Sequence, residues 1–115
     1  MGQSDKLLEQ LIKRVNQTGA LLDITIMVGG AMITGKLAAR DDWLKTMSDE
    51  LGDTSAADFA VDFRSEASIV DSEEYLHMSG GKVMFGTGPL PTKGGLMRVR
   101  TSAVDSWMIG RIATK

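Results

Sequence analysis

Cysteine is absent from this chain, which removes disulfides and thiolate metal sites and suits a cytosolic protein. With a single histidine as well, His77, no zinc site is expected. No apolar run approaches the roughly 18 residues of a membrane-spanning helix, and the polar start carries no signal-peptide stretch, so no membrane attachment is expected. Basic charge is not in excess either. Thirteen Lys and Arg against 15 Asp and Glu give a net charge of −2, which argues against nucleic acid as a main partner. Aromatics are few (three Phe, two Trp, one Tyr) and prolines number two.

What the chain does have is methionine, eight in all, and glycine, 13 in all. Methionine fills gaps in cores and also builds adaptable binding surfaces. At 115 residues a single domain with a modest core is expected. A short phrase occurs twice, as Ala38–Leu44 and loosely as Ser102–Met108. Each copy follows an alternating run and carries an aspartate two residues ahead of or next to one of the two tryptophans, Trp43 and Trp107. Those tryptophans, with Phe59 and Phe63, are expected as structural anchors.

Residues 4–17 read as a helix. Ser4 is the candidate N-cap, Asp5 suits the positive helix start, Leu8, Leu11, Ile12 and Val15 form one stripe, and Gly19 follows the end. The stripe is expected to dock on the protein's own sheet. Residues 21–37 alternate around Gly29-Gly30 and read as a hairpin. Residues 41–70 read as a helical insert, capped at Asp41 or Asp42, with Leu44, Met47 and Leu51 on one face. A second stripe follows at Ala56, Phe59, Ala60, Phe63, Ala67 and Val70. Residues 75–113 form a β-rich part. There Gly80-Gly81 signals another hairpin, 86–95 a loop holding both prolines, and 96–101 and 107–112 closing strands. The fold class is therefore α+β: an N-terminal helix with a strongly bent antiparallel sheet or small barrel, interrupted by the insert.

Catalytic readings fail on composition. His77 lies between Leu76 and Met78 on a strand, and no nucleophile–base–acid set can be assembled around it. Lys93 sits in a glycine-rich stretch, but the Gly-Lys-Ser/Thr order of a phosphate-binding loop is missing. No enzyme activity and no cofactor are expected. Charge, however, is unevenly divided. Residues 48–74 hold nine acids and one base, whereas 75–115 hold six bases and one acid. These are either two solvated faces or complementary patches through which copies attract one another. On the second reading Lys93, Arg98, Arg100 and Arg111 form the basic side, and Asp58, Asp62 and Glu66 the acidic side.

Two resemblances follow from these segments. Thr34–Leu44, with its Gly, hydrophobic residue, Asp, Trp and Leu, resembles the first motif of Sm-like proteins, as does the order of helix then hairpin. Lys45 stands where the RNA-binding members carry Asn, and Arg98-Val99-Arg100 lacks their glycine. An Sm-like RNA-binding oligomer is the alternative this likeness implies. A broader resemblance spans roughly residues 5–113. The hairpin Leu22–Gly35, the run Tyr75–Met78, Arg98-Val99-Arg100 and Val104–Ile112 are similar to the gas vesicle accessory protein U family. That resemblance implies a non-enzymatic cytoplasmic protein that associates with itself, meets the gas vesicle shell protein and clusters vesicles at their surface.

Overall fold

In the computed structural model, residues 5–67, 73–85 and 88–112 are described, with backbone alone at 85 and 88–93. Helix α1 spans Lys6–Thr18. Its N-cap is Asp5, whose carboxylate accepts from the backbone N–H of Leu7 at 2.8 Å and of Leu8 at 3.2 Å. The expected cap, Ser4, lies outside the described residues. At the other end the Gly19 N–H reaches the Val15 carbonyl at 2.8 Å. Gly19 takes a φ of 74°, a left-handed value that glycine adopts without strain.

Strands β1 (Leu22–Val28) and β2 (Ala31–Ala38) form the first hairpin. Gly29 and Gly30 take φ values of 56° and 85°, and consecutive positive values are what a two-residue hairpin turn of matching twist requires. The pairing Ile26↔Ile33 and Ile24↔Gly35 sends alternate side chains toward α1. Leu8, Ile12 and Val15 pack there against Ile24, Ile26, Leu37, Leu76 and Met78. Each fully buried aliphatic side chain of this kind stabilises the fold by ~1.5–3 kcal/mol. The stripe read from the sequence thus docks on the protein's own sheet.

Helix α2 covers Arg40–Gly52. It starts ahead of both candidate aspartates: Ala39 is the N-cap and offers no side-chain acceptor. A residue of α1 takes that role instead, since Asn16 Oδ1 accepts from the Arg40 N–H at 2.8 Å. Asp41 and Asp42 sit inside the first turn, where the helix dipole favours them. The second helical stripe is broken. A 3-10 turn at Ala57–Phe59 precedes α3, Ala60–Ala67. Three residues per turn rotate Phe59 off the face that an unbroken α-helix would give it, and Phe59 stands 60% exposed. Ala60 is buried and Phe63 is half-buried against Trp43, but Ala67 is exposed and Val70 lies outside the described residues.

The β-rich part departs most from expectation. Strand β3 runs unbroken from Tyr75 to Phe85, through Gly80-Gly81 rather than turning there. Strand β4, Gly88–Arg100, occupies most of the expected loop. Gly80 takes a positive φ of 59°, whereas Gly94 and Gly35 serve close approach. A Cβ on Gly94 would lie 2.8 Å from the Gly80 backbone, and one on Gly35 would lie 3.0 Å from Gly81 Cα. The ladder passes from Gly81↔Gly95 to Val83↔Leu90, so β4 bulges outward across Pro91 to Gly94. An edge strand tolerates such a bulge and prolines without N–H groups.

After a 3-10 turn at Thr101–Ala103, β5 (Ser106–Ile109) pairs with β1 and ends short of the expected 112. The sheet order is β4-β3-β2-β1-β5, antiparallel throughout. Among the described residues no pairing of β4 with β5 closes a barrel. The fold is α+β, with α1 on one face and α2 and α3 against the other.

Candidate functional site

The tryptophans fasten helices to the sheet. Trp43 of α2 is 5% exposed and donates from Nε1 to the Met78 carbonyl at 3.2 Å. Trp107 of β5 is half-buried at the core edge, and its Nε1 donates to Asp5 Oδ2 at 3.2 Å. That bond and the two capping N–H groups hold the Asp5 carboxyl below the usual carboxylate range.

Beside Trp43 the helices and β4 bring charges together. Arg40 is 5% exposed; its guanidinium donates to the Glu66 carbonyl at 2.6 Å and pairs with Glu66 Oε2 at 3.5 Å and Asp41 Oδ1 at 3.4 Å. Glu66 Oε2 also accepts from Arg98 Nη2 at 3.2 Å. The Arg98 guanidinium carbon lies 4.2 Å from the centroid of the Tyr75 ring, a cation–π contact. Two arginines therefore converge on one carboxylate from α3.

His77 lies beside this cluster, 2% exposed, with its ring 4.9 Å from that of Trp43. Burial first, then the Arg98 and Arg40 charges, push its pKa down to about 4 against the weaker opposing pull of Glu66. His77 is thus neutral near pH 7. Its Nε2 has no hydrogen-bond partner among the described residues.

The far side of the same face is fastened by two threonines. Thr25 Oγ1 donates to the Gly110 carbonyl at 2.8 Å, so the 2.9 Å contact between the hydroxyls is a donation from Thr34 to Thr25. Thr34 in turn accepts from the Ile112 N–H at 2.8 Å. The segment after β5 is thereby tied across the sheet.

The residues expected to form two opposed patches do not stay together. Glu66 and Arg98 neutralise each other within one chain. Arg111 pairs with Asp23 at 3.3 Å, both about half exposed. Arg100 is exposed on β4, and Asp58 and Asp62 are exposed on the acidic helical segment. The latter two form no ion pair among the described residues. Lys93 lies in the β4 bulge, and its side chain is outside the described residues. Sequence reasoning missed Arg40 altogether. The only local signal was a cation directly ahead of two aspartates.

Among the described residues no group of three or more His, Cys, Asp or Glu side chains is placed to hold a metal ion. No helix is long and apolar enough to cross a membrane. Among the described residues the fold is an open five-stranded sheet with helices on both faces. The chain belongs to the gas vesicle protein GvpU-like family, whose model matches residues 5–112. It is therefore a gas vesicle accessory protein. No curated protein and no solved structure, Sm-like or otherwise, matches the chain.

Proposed function

We propose that this accessory protein is non-enzymatic, associates with itself in the cytoplasm, and clusters gas vesicles by holding to their shell protein. The observation that carries the reading is the acidic helical segment Ala57–Ala67. Asp58 and Asp62 point to solvent there beside Phe59 and Val61, which are 60% and 52% exposed. Charged groups spent on internal pairs, such as Glu66 with Arg98, contribute little to a partner. Asp58, Asp62 and Arg100 remain available to one, and Lys93 extends the basic side of this proposal. Each such contact is weak: an exposed ion pair contributes about 0.2–1 kcal/mol. Many copies on one vesicle convert weak contacts into firm adhesion by multivalency.

The test is addition of the purified protein to dispersed gas vesicles, followed by turbidity and light microscopy. Clusters that form at low salt and loosen as salt rises are expected. Vesicles that stay dispersed at every protein concentration would overturn the clustering role.

A further inference from the structure

The two edges of the sheet differ. The β4 edge carries Pro89 and Pro91 and bulges outward between Pro91 and Gly94, devices that keep an edge strand from pairing further. Strand β5 at the opposite edge has neither. Its four residues, Ser106–Ile109, hold no proline and no charge, and Met108 and Ile109 are 50% and 54% exposed. Among the described residues only β1 pairs with it. The described chain beyond β5 runs the other way. Gly110 turns at a φ of 112°, its carbonyl accepts from Thr25 Oγ1, and the Ile112 N–H reaches Thr34 Oγ1, so the chain crosses β1 toward β2.

The ladder decides which backbone groups face outward. The Gly110 N–H donates to the Asp23 carbonyl at 2.8 Å. Alternate residues of an antiparallel pair bond the same neighbour, so Met108 turns its backbone to β1, and Trp107 and Ile109 turn theirs to the free side. An antiparallel copy of β5 centred on Met108 sets Trp107 of each copy opposite Ile109 of the other. Both outward N–H groups of each copy then meet a carbonyl of its partner. On the α1 face the half-buried Trp107 covers the exposed Ile109, a favourable aromatic and β-branched cross-strand pair. On the other face the two Met108 side chains meet and adapt to one another. Charge favours this direction. Asp105 precedes β5 and Arg111 follows it, and both are exposed. A parallel copy would set like charges side by side at each end, whereas the antiparallel one sets Asp105 of each copy at the end that carries Arg111 of the other. Both residues also hold their own chain, Asp105 through the Gly29 N–H and Arg111 through Asp23.

We infer that β5 pairs antiparallel with β5 of a second copy and joins the two sheets edge to edge. This rests on the self-association proposed above and assigns it an edge. The contact is two-fold and closed, and four residues a side make it weak. A pair carries two sets of the charged surfaces, the least that can bridge two vesicles.

The experiment follows backbone amide exchange of the full chain by NMR over a range of protein concentration, with light scattering to read the mass. The Trp107 and Ile109 N–H groups are expected to exchange freely in the monomer and to become protected as copies associate. Protection already complete in the monomer would place the protein's own chain on the edge and overturn the pairing. Association with both groups still exchanging freely would overturn the edge and leave self-association standing. Protection that appears only on adding gas vesicles would assign the edge to the shell protein instead of a second copy. A wild type that stays monomeric at every concentration would overturn both the pairing and self-association. Ile109→Pro removes an outward N–H that β1 does not use, and should raise the concentration at half association about tenfold, since one hydrogen bond is lost in each direction. Ile109→Val should leave it unchanged, and circular dichroism checks the fold of both variants. Equal association of Ile109→Pro and the wild type would overturn the pairing.

Discussion

His77 makes a quantitative test of how the helices sit on the sheet. Its ring is packed against Trp43 beside Arg98, Arg40 and Glu66, and its pKa lies at about 4 against an ordinary 6.5. Protonation is therefore easier in the unfolded chain. Between pH 6.5 and 4 the unfolded state binds the extra proton, so stability is complete above pH 6.5 and falls as pH drops toward 4. Integrating that difference gives a loss of ~2 kcal/mol between pH 7.5 and pH 5, at 1.36 kcal/mol per pKa unit. Urea denaturation followed by tryptophan fluorescence at both pH values measures it. The comparison is His77→Phe, which keeps an aromatic ring beside Trp43 and removes the titrating group. The variant should lose much less stability over this interval than the wild type. Parallel losses would show that His77 titrates freely and is not enclosed by α2, Arg98 and Arg40.

Two further predictions probe the packing. Leu8→Ala removes a fully buried side chain from the α1–sheet contact and should cost about 2–5 kcal/mol, read as a drop in the urea midpoint. Gly94→Ala forces a Cβ to within 2.8 Å of the Gly80 backbone at a φ of 77°, and should cost about 1–3 kcal/mol by the same assay and raise amide exchange along β3 and β4.

The elements that were legible in the sequence are those whose cause is local. Alternation through Leu22–Val28 and the pair Gly29-Gly30 fix the first hairpin without help from the rest of the chain, because the turn's positive φ values are a property of the glycines themselves. Gly80-Gly81 carries the same local signal and means something else. There Gly80 takes a positive φ of 59° within a strand, and a Cβ on Gly81 would lie 3.0 Å from Met97 Sδ and 3.2 Å from the Gly95 carbonyl oxygen on the neighbouring strand, and no window of a few residues contains that information. The prolines of β4 likewise read as a loop because nothing local says the strand lies at an edge.

The charged residues divide in the same way. Exposure of Asp58 and Asp62 accords with an acidic, solvated helix face. The pairing of Glu66 with Arg40 and Arg98 depends on tertiary placement across 26 and 32 residues. A tally of charge along the chain counts such pairs as free, although only the unpaired members remain for another molecule. Family membership was legible because several short segments carry it together along nearly the whole chain, as the match over residues 5–112 attests.

We propose above that copies of this protein attract one another through their charged surfaces. Light scattering coupled to size-exclusion chromatography, across a range of protein concentration at low and at high salt, tests it most directly. Assemblies that grow with concentration and shrink as salt rises are the predicted result. A strict monomer under every condition would contradict it.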